Sequence, residues 1–265
     1  MSAEVEAGAA DPSAPARERL GLELVAVLGV TYAASGLRAL LENIRDQLVI
    51  EQGLGLKHVA TGPIVFVPKP TYAWFDLSAD LIEVVLGVMP ALLAVVLLLR
   101  SPGGPGCGIG LNRIRRIEIP QGLGFAALIG IPGLGLVYVA RQIGANAQIV
   151  ATNFPDVWYR IPMLLLNAVQ DGLAEEVVVC AYVLVRLGQL GWSAPRALVT
   201  SAVLRGSYHL YQGFGGFVGN AIMGLIFGWW FQRTRRVWPL VIAHSVIDAV
   251  SFIGYVYLHD KVSWI

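Results

Sequence analysis

Long apolar blocks separated by short polar stretches run along most of the chain. Seven blocks approach the roughly 20 apolar residues that a helix needs to cross the hydrocarbon core of a bilayer. The pattern therefore predicts an all-α fold, a polytopic transmembrane helical bundle of about seven spans. The blocks cover residues 20–40, 81–99, 122–140, 161–190, 194–211, 216–231 and 237–258.

The composition places this bundle in a membrane. Of the 265 residues, 56% are hydrophobic and only 14% are charged, whereas about one quarter of a soluble domain is charged. The surface without charges is expected to face the lipid bilayer, so the predicted location is the cell membrane. The net charge of +1 gives no indication of the basic surface that nucleic-acid-binding proteins have. No nucleic-acid partner is therefore expected.

The basic residues are distributed unequally between the two ends of the predicted bundle. With seven spans, eleven of them lie on the side of the N-terminus and seven on the opposite side. Under the positive-inside rule, this difference predicts a cytoplasmic N-terminus. The eleven are Arg17, Arg19, Arg100, Arg113, Arg115, Arg116, Arg186, Arg196, Arg233, Arg235 and Arg236.

The chain divides into four regions. Residues 1–19 lack an apolar core and are expected to form a disordered cytoplasmic tail rather than a cleaved signal peptide. Residues 20–160 form an N-terminal transmembrane region with long loops, one of which begins with the turn-rich SPGGPG. Residues 161–258, the last four spans, are expected to form a helical catalytic core, and 259–265 a short C-terminal tail.

Ionisable residues gather in the last four predicted spans, although a charge at the bilayer centre costs about 2.5–3.5 kcal/mol. Residues four apart share one helix face, so these residues fall into stripes on three helices. Groups this costly normally face the bundle interior, and three polar stripes are enough to build one buried site. The residues are Asp171 and Glu175 with Glu176, Arg205 with His209, and His244 with Asp248.

Three segments carry a family resemblance. AEEVVVCAY, LRGSYHLYQG and PLVIAHSVIDAVSF resemble, in order, the Glu-Glu-x-x-x-Arg, Phe-x-x-x-His and His-x-x-x-Asn/Asp motifs of CPBP intramembrane proteases. That family includes the CAAX prenyl proteases, Abi proteins and bacteriocin self-immunity proteins. The resemblance covers about 161–258, and each motif lies within an apolar helix.

The resemblance implies an intramembrane endopeptidase that hydrolyses membrane-associated protein or peptide substrates. Glu175 and His209 match the residues that activate water, and His244 and Asp248 match those that stabilise the oxyanion. Glu176 matches the glutamate that the motif arginine holds. This chemistry is consistent with the residue types, because a carboxylate away from water can take a proton near neutral pH and hydrolysis needs donors at the oxyanion.

The chain departs from the family pattern at two positions. Cys180 stands where the motif has arginine, and Arg205 stands where it has phenylalanine. One hypothesis connects the two, in which Arg205 supplies from the neighbouring span the cation that Glu176 lacks on its own helix. Asp248 stands where asparagine could donate directly. It is interpreted either as the residue that orients His244 or as a protonated donor.

Metal chemistry stays open as an alternative. The prediction is a metal-free mechanism without a cofactor, and the chain has no His-Glu-x-x-His helix. If the mechanism depends on metal, Glu175, His209, His244 and Asp248 would form a set of N and O ligands that zinc accepts.

Two other functions also fit the residues. A catalytically silent membrane scaffold or bacteriocin-immunity protein that retains the fold is the main alternative, because two motif residues are replaced. A proton-coupled carrier would also use buried histidines and carboxylates, but the chain shows no internal repeat.

Overall fold

The computed structural model describes residues 14–33, 73–100 and 108–262. These residues are mostly helical and contain no β-strand, which confirms the prediction of an all-α polytopic bundle. The helices are α1 (Ala14–Leu28), α2 (Ala73–Leu99), α3 (Glu118–Gln142), α4 (Arg160–Glu175), α5 (Val183–Gln189), α6 (Ala194–Tyr208), α7 (Phe214–Thr234) and α8 (Trp238–Leu258).

Two π-helical segments and one 3-10 turn complete the described structure. Gly29–Ala33 extends α1, Glu176–Tyr182 joins α4 to α5 as one continuous helix, and the turn Leu210–Gln212 lies between α6 and α7. Each predicted block thus corresponds to one helical segment, and most bounds agree within a few residues. The exceptions are α1 and α2, which begin six and eight residues before their predicted starts at 20 and 81.

The predicted N-terminal tail overlaps the first helix. α1 begins at Ala14, so residues 14–19 are helical rather than disordered. The reason is local, because this stretch is rich in Ala, Glu and Arg, which have high intrinsic helix propensity. Residues 1–13, 34–72, 101–107 and 263–265 lie outside the described residues. They include most of the predicted tail, the end of the first predicted span and the SPGGPG breaker.

Four helices of the described chain, α2, α3, α7 and α8, are long and apolar enough to cross a membrane by length and composition. The other predicted spans fall short for specific reasons. α4 and α6 have only 16 and 15 residues, and both they and the π-helical segment carry the charges of the candidate site. These helices hold their polar residues inside the bundle rather than in lipid.

The π-helical segment Glu176–Tyr182 lies at the centre of the bundle, and all seven of its residues are buried. It contacts α2, α6, α7 and α8. The close approach of α4 and α8 depends on Gly172, because a Cβ there would lie 2.5 Å from Ser245 Oγ and 3.0 Å from the carbonyl oxygen of Val241. This contact brings the polar stripe of α8 next to the end of α4.

Buried polar contacts attach the N-terminal helices to this core. Arg186 of α5 is buried, and its Nε donates to Glu23 Oε1 of α1 at 2.8 Å. Its Nη2 donates to the carbonyl oxygen of Leu97 at the end of α2 at 2.9 Å. Tyr182 Oη also donates to Glu23 Oε1, at 2.8 Å. Arg186, which was interpreted as a topology determinant, therefore connects its own helix to α1 and α2 inside the bundle.

Candidate active site

The end of α4, the end of α6 and the first half of α8 place the predicted site residues in one polar cluster. Glu175 is the last residue of α4, and Glu176 is the first of the π-helical segment. Arg205 lies in the last turn of α6 and His209 directly follows it, while α8 carries His244 and Asp248. π-helical turns inside longer helices occur frequently at functional sites, and this one begins at the carboxylate pair.

Arg205 occupies the centre of the cluster and is 1% exposed. Its Nη2 contacts Glu176 Oε1 in a short hydrogen bond, lies 3.1 Å from Glu175 Oε2 and lies 3.1 Å from His244 Nδ1. The guanidinium carbon also lies 5.7 Å from the ring centroid of Phe227. The ion pair between Arg205 and Glu176, which the motif departures predicted, is present in the structure.

The two adjacent glutamates differ in exposure and in their partners. Glu176 is fully buried, and its Oε1 contacts both Arg205 and His244. The Glu175 side chain is 15% exposed. Its Oε2 accepts a hydrogen bond from Tyr208 and contacts Arg205, whereas its Oε1 has no hydrogen bond within the described residues. Glu176 Oε2 also has no hydrogen-bond partner among the described residues, but it is buried. Only the partly exposed Glu175 therefore offers its free carboxylate oxygen to a water molecule.

His244 is held more closely by Glu176 than by Asp248. Its Nδ1 lies 2.8 Å from Glu176 Oε1, and its Nε2 lies 3.4 Å from Asp248 Oδ2. A carboxylate paired with an arginine only accepts hydrogen bonds, so Nδ1 carries a hydrogen and donates it to Glu176. The Nε2 edge is then directed toward Asp248.

His209 contacts the backbone through one ring nitrogen. Its Nδ1 lies 3.0 Å from the carbonyl oxygen of Arg205, and because a carbonyl only accepts, Nδ1 is the donor. In the neutral ring this tautomer leaves Nε2 as an acceptor, with no hydrogen-bond partner in the part of the chain that the structure describes. The ring lies 4.7 Å from that of Tyr208 and stacks at 6.3 Å on Tyr211.

Two tyrosines complete the cluster, and sequence reasoning missed both. Tyr208 is buried and its Oη donates to Glu175 Oε2 at 2.7 Å. The Tyr32 ring, from the π-helical end of α1, lies 4.7 Å from the Tyr208 ring. Tyr208 adjoins His209 in the second motif, so a buried tyrosine in need of a hydrogen-bond partner was a usable signal. Tyr32 lies outside the motifs, and nothing in the sequence indicated it.

Part of the chain that contains these residues matches a known protein family. Residues 157–250 match the family model described as type II CAAX prenyl endopeptidase, Rce1-like. The resemblance to CAAX proteases is confirmed. The matched segment extends from the residues before α4 into α8 and includes Glu175, His209 and Asp248. No curated protein and no solved structure matches the chain.

The Rce1-like segment keeps its arrangement despite the two motif departures. Cys180, at the position of the motif arginine, is a buried free thiol inside the π-helical segment. Arg205 instead approaches Glu176 from α6. Gly224 of α7 leaves room for this side chain, because a Cβ there would lie 2.9 Å from the Ala202 Cα and 3.4 Å from Arg205 Cδ.

The possible zinc ligands of the Rce1-like segment share the cluster but are not arranged around a common point. Among the described residues, no group of three His, Cys, Asp or Glu side chains is arranged so that it could hold a metal ion. The Arg205 guanidinium already supplies a positive charge to Glu175 and Glu176 and contacts His244. The side chains as arranged do not fit a zinc site.

Proposed function

We propose that this chain is an intramembrane endopeptidase of the glutamic type that cleaves membrane-associated protein or peptide substrates. The family match supports a protease of the CAAX type, and the apolar helices support a location in a membrane. One observation carries the proposed mechanism. Glu175 has one oxygen fixed by Tyr208 and Arg205 and the other free, beside His209, in an otherwise apolar bundle.

In the proposed first step, a water molecule binds between Glu175 Oε1 and His209 Nε2. Glu175 takes a proton from this water while the water oxygen attacks the carbonyl carbon of the scissile peptide bond. A new C–O bond forms, and the π electrons of the carbonyl move to its oxygen. Tyr208 and Arg205 keep Glu175 from rotating, because both contact the oxygen that does not react.

The oxyanion is stabilised from α8 and by the buried cation. His244 donates its Nδ1 hydrogen to Glu176, so in this proposal it acts as the imidazolium and donates its Nε2 hydrogen to the oxyanion beside Asp248. Arg205 adds a positive charge nearby. When the intermediate collapses, the C=O bond re-forms and the C–N bond breaks. The proton held by Glu175 then moves to the departing amine, which restores the carboxylate.

The decisive experiment compares protein termini in membranes that carry the wild type or Glu175→Gln at matched abundance. Mass spectrometry should detect new C-termini with the wild type that disappear with Glu175→Gln. Glu83→Gln is the matched control, because Glu83 is an exposed glutamate of α2 away from the cluster. Identical termini in all three samples would refute the protease proposal.

A catalytically silent scaffold or immunity protein is the second candidate. Cys180 and Arg205 favour it, since they replace two motif residues of a family of enzymes. In that case Glu175→Gln should leave the biological function intact, whereas Arg205→Ala should abolish it by unfolding the core.

The proposed topology places the start of α1 on the cytoplasmic side of the cell membrane. The arginine excess at that end of the bundle supports this orientation. Cysteine introduced at Arg17 or at Lys261, in a chain whose own cysteines are replaced, should be labelled from opposite sides by a membrane-impermeant reagent.

A further inference from the structure

Two basic segments far apart in sequence meet at one end of the bundle. One precedes α3 and contains Arg113, Arg115 and Arg116, and the other joins α7 to α8 and contains Arg233 and Arg235. All five side chains belong to exposed residues. We call these five residues the arginine face.

A sixth arginine holds the two segments together. Arg236 contacts Glu118 and Asn112, and its Nη2 lies 2.9 Å from Glu118 Oε2 and 3.3 Å from the carbonyl oxygen of Arg113. The hydrogen bond with Glu118 raises the pKa of Arg236. Trp238 Nε1 donates to the carbonyl oxygen of Asn112 at 2.7 Å, and the Val237 amide donates to Ile109 at 3.1 Å. These contacts fix the two segments, and with them the arginine face, in position.

No acidic side chain within these two segments neutralises the positive charge of the arginine face. Glu118 is the acidic residue of the two segments, and it is 2% exposed and bound to Arg236. Among the described residues, none of the five arginines forms an ion pair. The positive-inside rule accounts for their number, but it does not require them to converge on one surface.

Arg235 adopts a backbone conformation that a glycine would adopt at lower cost. It follows the end of α7 with φ 52° and ψ 32°, in the left-handed region. Glycine or asparagine usually occupies this position after a helix, because a Cβ is unfavourable there. Gly110 packs closely against this turn, since a Cβ on Gly110 would lie 2.5 Å from the Arg235 carbonyl oxygen. The Arg235 guanidinium lies 5.6 Å from the centroid of the Phe231 ring, and it forms no ion pair with any described residue that would offset the cost of its backbone conformation.

Apolar and aromatic side chains border the arginine face. Ile114 and Ile117 are 42% and 59% exposed, and Trp229 is 46% exposed. The Arg233 guanidinium lies 4.2 Å from the centroid of the Trp229 ring. Aromatic rings beside basic groups are typical of the membrane–water interface. A free phosphate ion would use only the charges, whereas a phospholipid would also use the apolar border.

We propose that the arginine face binds the phosphate headgroups of anionic phospholipids at the membrane surface. Each basic residue near an anionic membrane surface contributes about 1 kcal/mol, or roughly fivefold in affinity. This proposal does not depend on protease activity. It assigns to Arg235 a role that explains why its strained backbone position is not occupied by glycine.

The test uses the purified full chain in phosphatidylcholine vesicles with or without phosphatidylglycerol. Bound lipid is measured by native mass spectrometry, and thermal unfolding is followed in both vesicles. Arg235→Gly should unfold at the same or a higher temperature than wild type in phosphatidylcholine, yet bind phosphatidylglycerol about fivefold more weakly. The triple variant Arg113→Ala, Arg115→Ala, Arg116→Ala should lose most of the binding.

Lys261→Ala is the control, because Lys261 is exposed beyond the opposite end of α8. It should bind phosphatidylglycerol like the wild type, and an equal loss in this variant would overturn the proposal. Unchanged binding by both arginine variants would also overturn it. A further arm adds inorganic phosphate. If phosphate alone displaced the lipid and stabilised the protein equally, the surface would be a free-anion site and the lipid assignment would be wrong.

Discussion

The second helix and the central helix of the bundle have similar lengths but opposite surroundings. α2 exposes much of its apolar surface, including Leu86 and Leu92. The continuous helix formed by α4, the π-helical segment and α5 instead buries every residue from Glu176 to Tyr182. α2 has the length and apolar composition of a membrane span, whereas the central helix is similar in length but carries Asp171, Glu175 and Glu176. A helix that faces lipid can be recognised by its apolar composition. A helix that carries a site instead buries its charged side chains against other helices.

The largest expected effect comes from the free carboxylate of the central helix. Glu175→Gln should lower the rate of peptide hydrolysis by about 10²–10⁴-fold, the usual contribution of a positioned acid or base. Glu83→Gln makes the same chemical change on α2 and should have no effect. Turnover is measured on a substrate found by terminal mass spectrometry. Equal rates of hydrolysis by Glu175→Gln and Glu83→Gln would show that the glutamate of the central helix has no special role in catalysis.

The next effect concerns the buried cation. Arg205→Ala leaves Glu176 buried without its partner and should lower the free energy of unfolding by about 3–5 kcal/mol. Leu92→Ala on the exposed side of α2 should change it by about 0.5 kcal/mol or less, as is usual for surface substitutions. Chemical denaturation in micelles measures both. An unchanged free energy of unfolding for Arg205→Ala would show that Glu176 does not need this cation.

Glycine packing distinguishes interior from lipid-facing helices with a smaller effect. Gly172→Ala places a methyl group against Ser245 of α8 and should destabilise the fold by about 1–3 kcal/mol. Gly124→Ala on α3 meets no atom within 4 Å and should be neutral or stabilising, because alanine is favoured over glycine in a helix by about 1 kcal/mol. Thermal unfolding of both variants in the same detergent measures the difference. Equal stability would indicate that α4 and α8 are not in close contact.

The smallest predicted change tests how Tyr208 positions Glu175. Tyr208→Phe removes one hydrogen bond to Glu175, worth about 1–1.5 kcal/mol, and keeps the ring that contacts Tyr32. We expect kcat to fall about tenfold and KM to stay unchanged, with a small decrease in the unfolding temperature from the lost hydrogen bond. Tyr257→Phe is the control, because Tyr257 is exposed near the end of α8. A change in KM with constant kcat would contradict a role in positioning Glu175.

The sequence predicted the helices well where hydropathy decided them. The ends of the blocks at residues 99, 189 or 190 and 258 agree with the structure because charged or turn-forming residues follow them. The prediction was less accurate where hydropathy did not decide the outcome. Residues 14–19 lack an apolar core yet belong to α1 because of their local helix propensity. Arg186, which was interpreted as a topology determinant, is buried because packing brings Glu23 and the Leu97 carbonyl to it.

The site could be predicted only in part for a similar reason. Helix periodicity and the family motifs identified the six residues that the structure brings together, and the motif departures led to the pairing of Arg205 with Glu176. Their catalytic roles remain predictions. Periodicity does not indicate which acceptor a side chain selects, so the closer contact of His244 with Glu176 than with Asp248 became visible only in the structure.

The sequence by itself determined that the chain is a helical membrane bundle and that one end carries more arginines. It also determined that three polar stripes must be buried, because a lone charge in lipid is too costly. Tertiary structure alone decided which partners those charges have. Only packing makes Glu175 accessible and Glu176 enclosed, brings Tyr32 to Tyr208, and joins two distant basic segments through Arg236. These contacts depend on distances between helices, which hydropathy and local spacing do not specify.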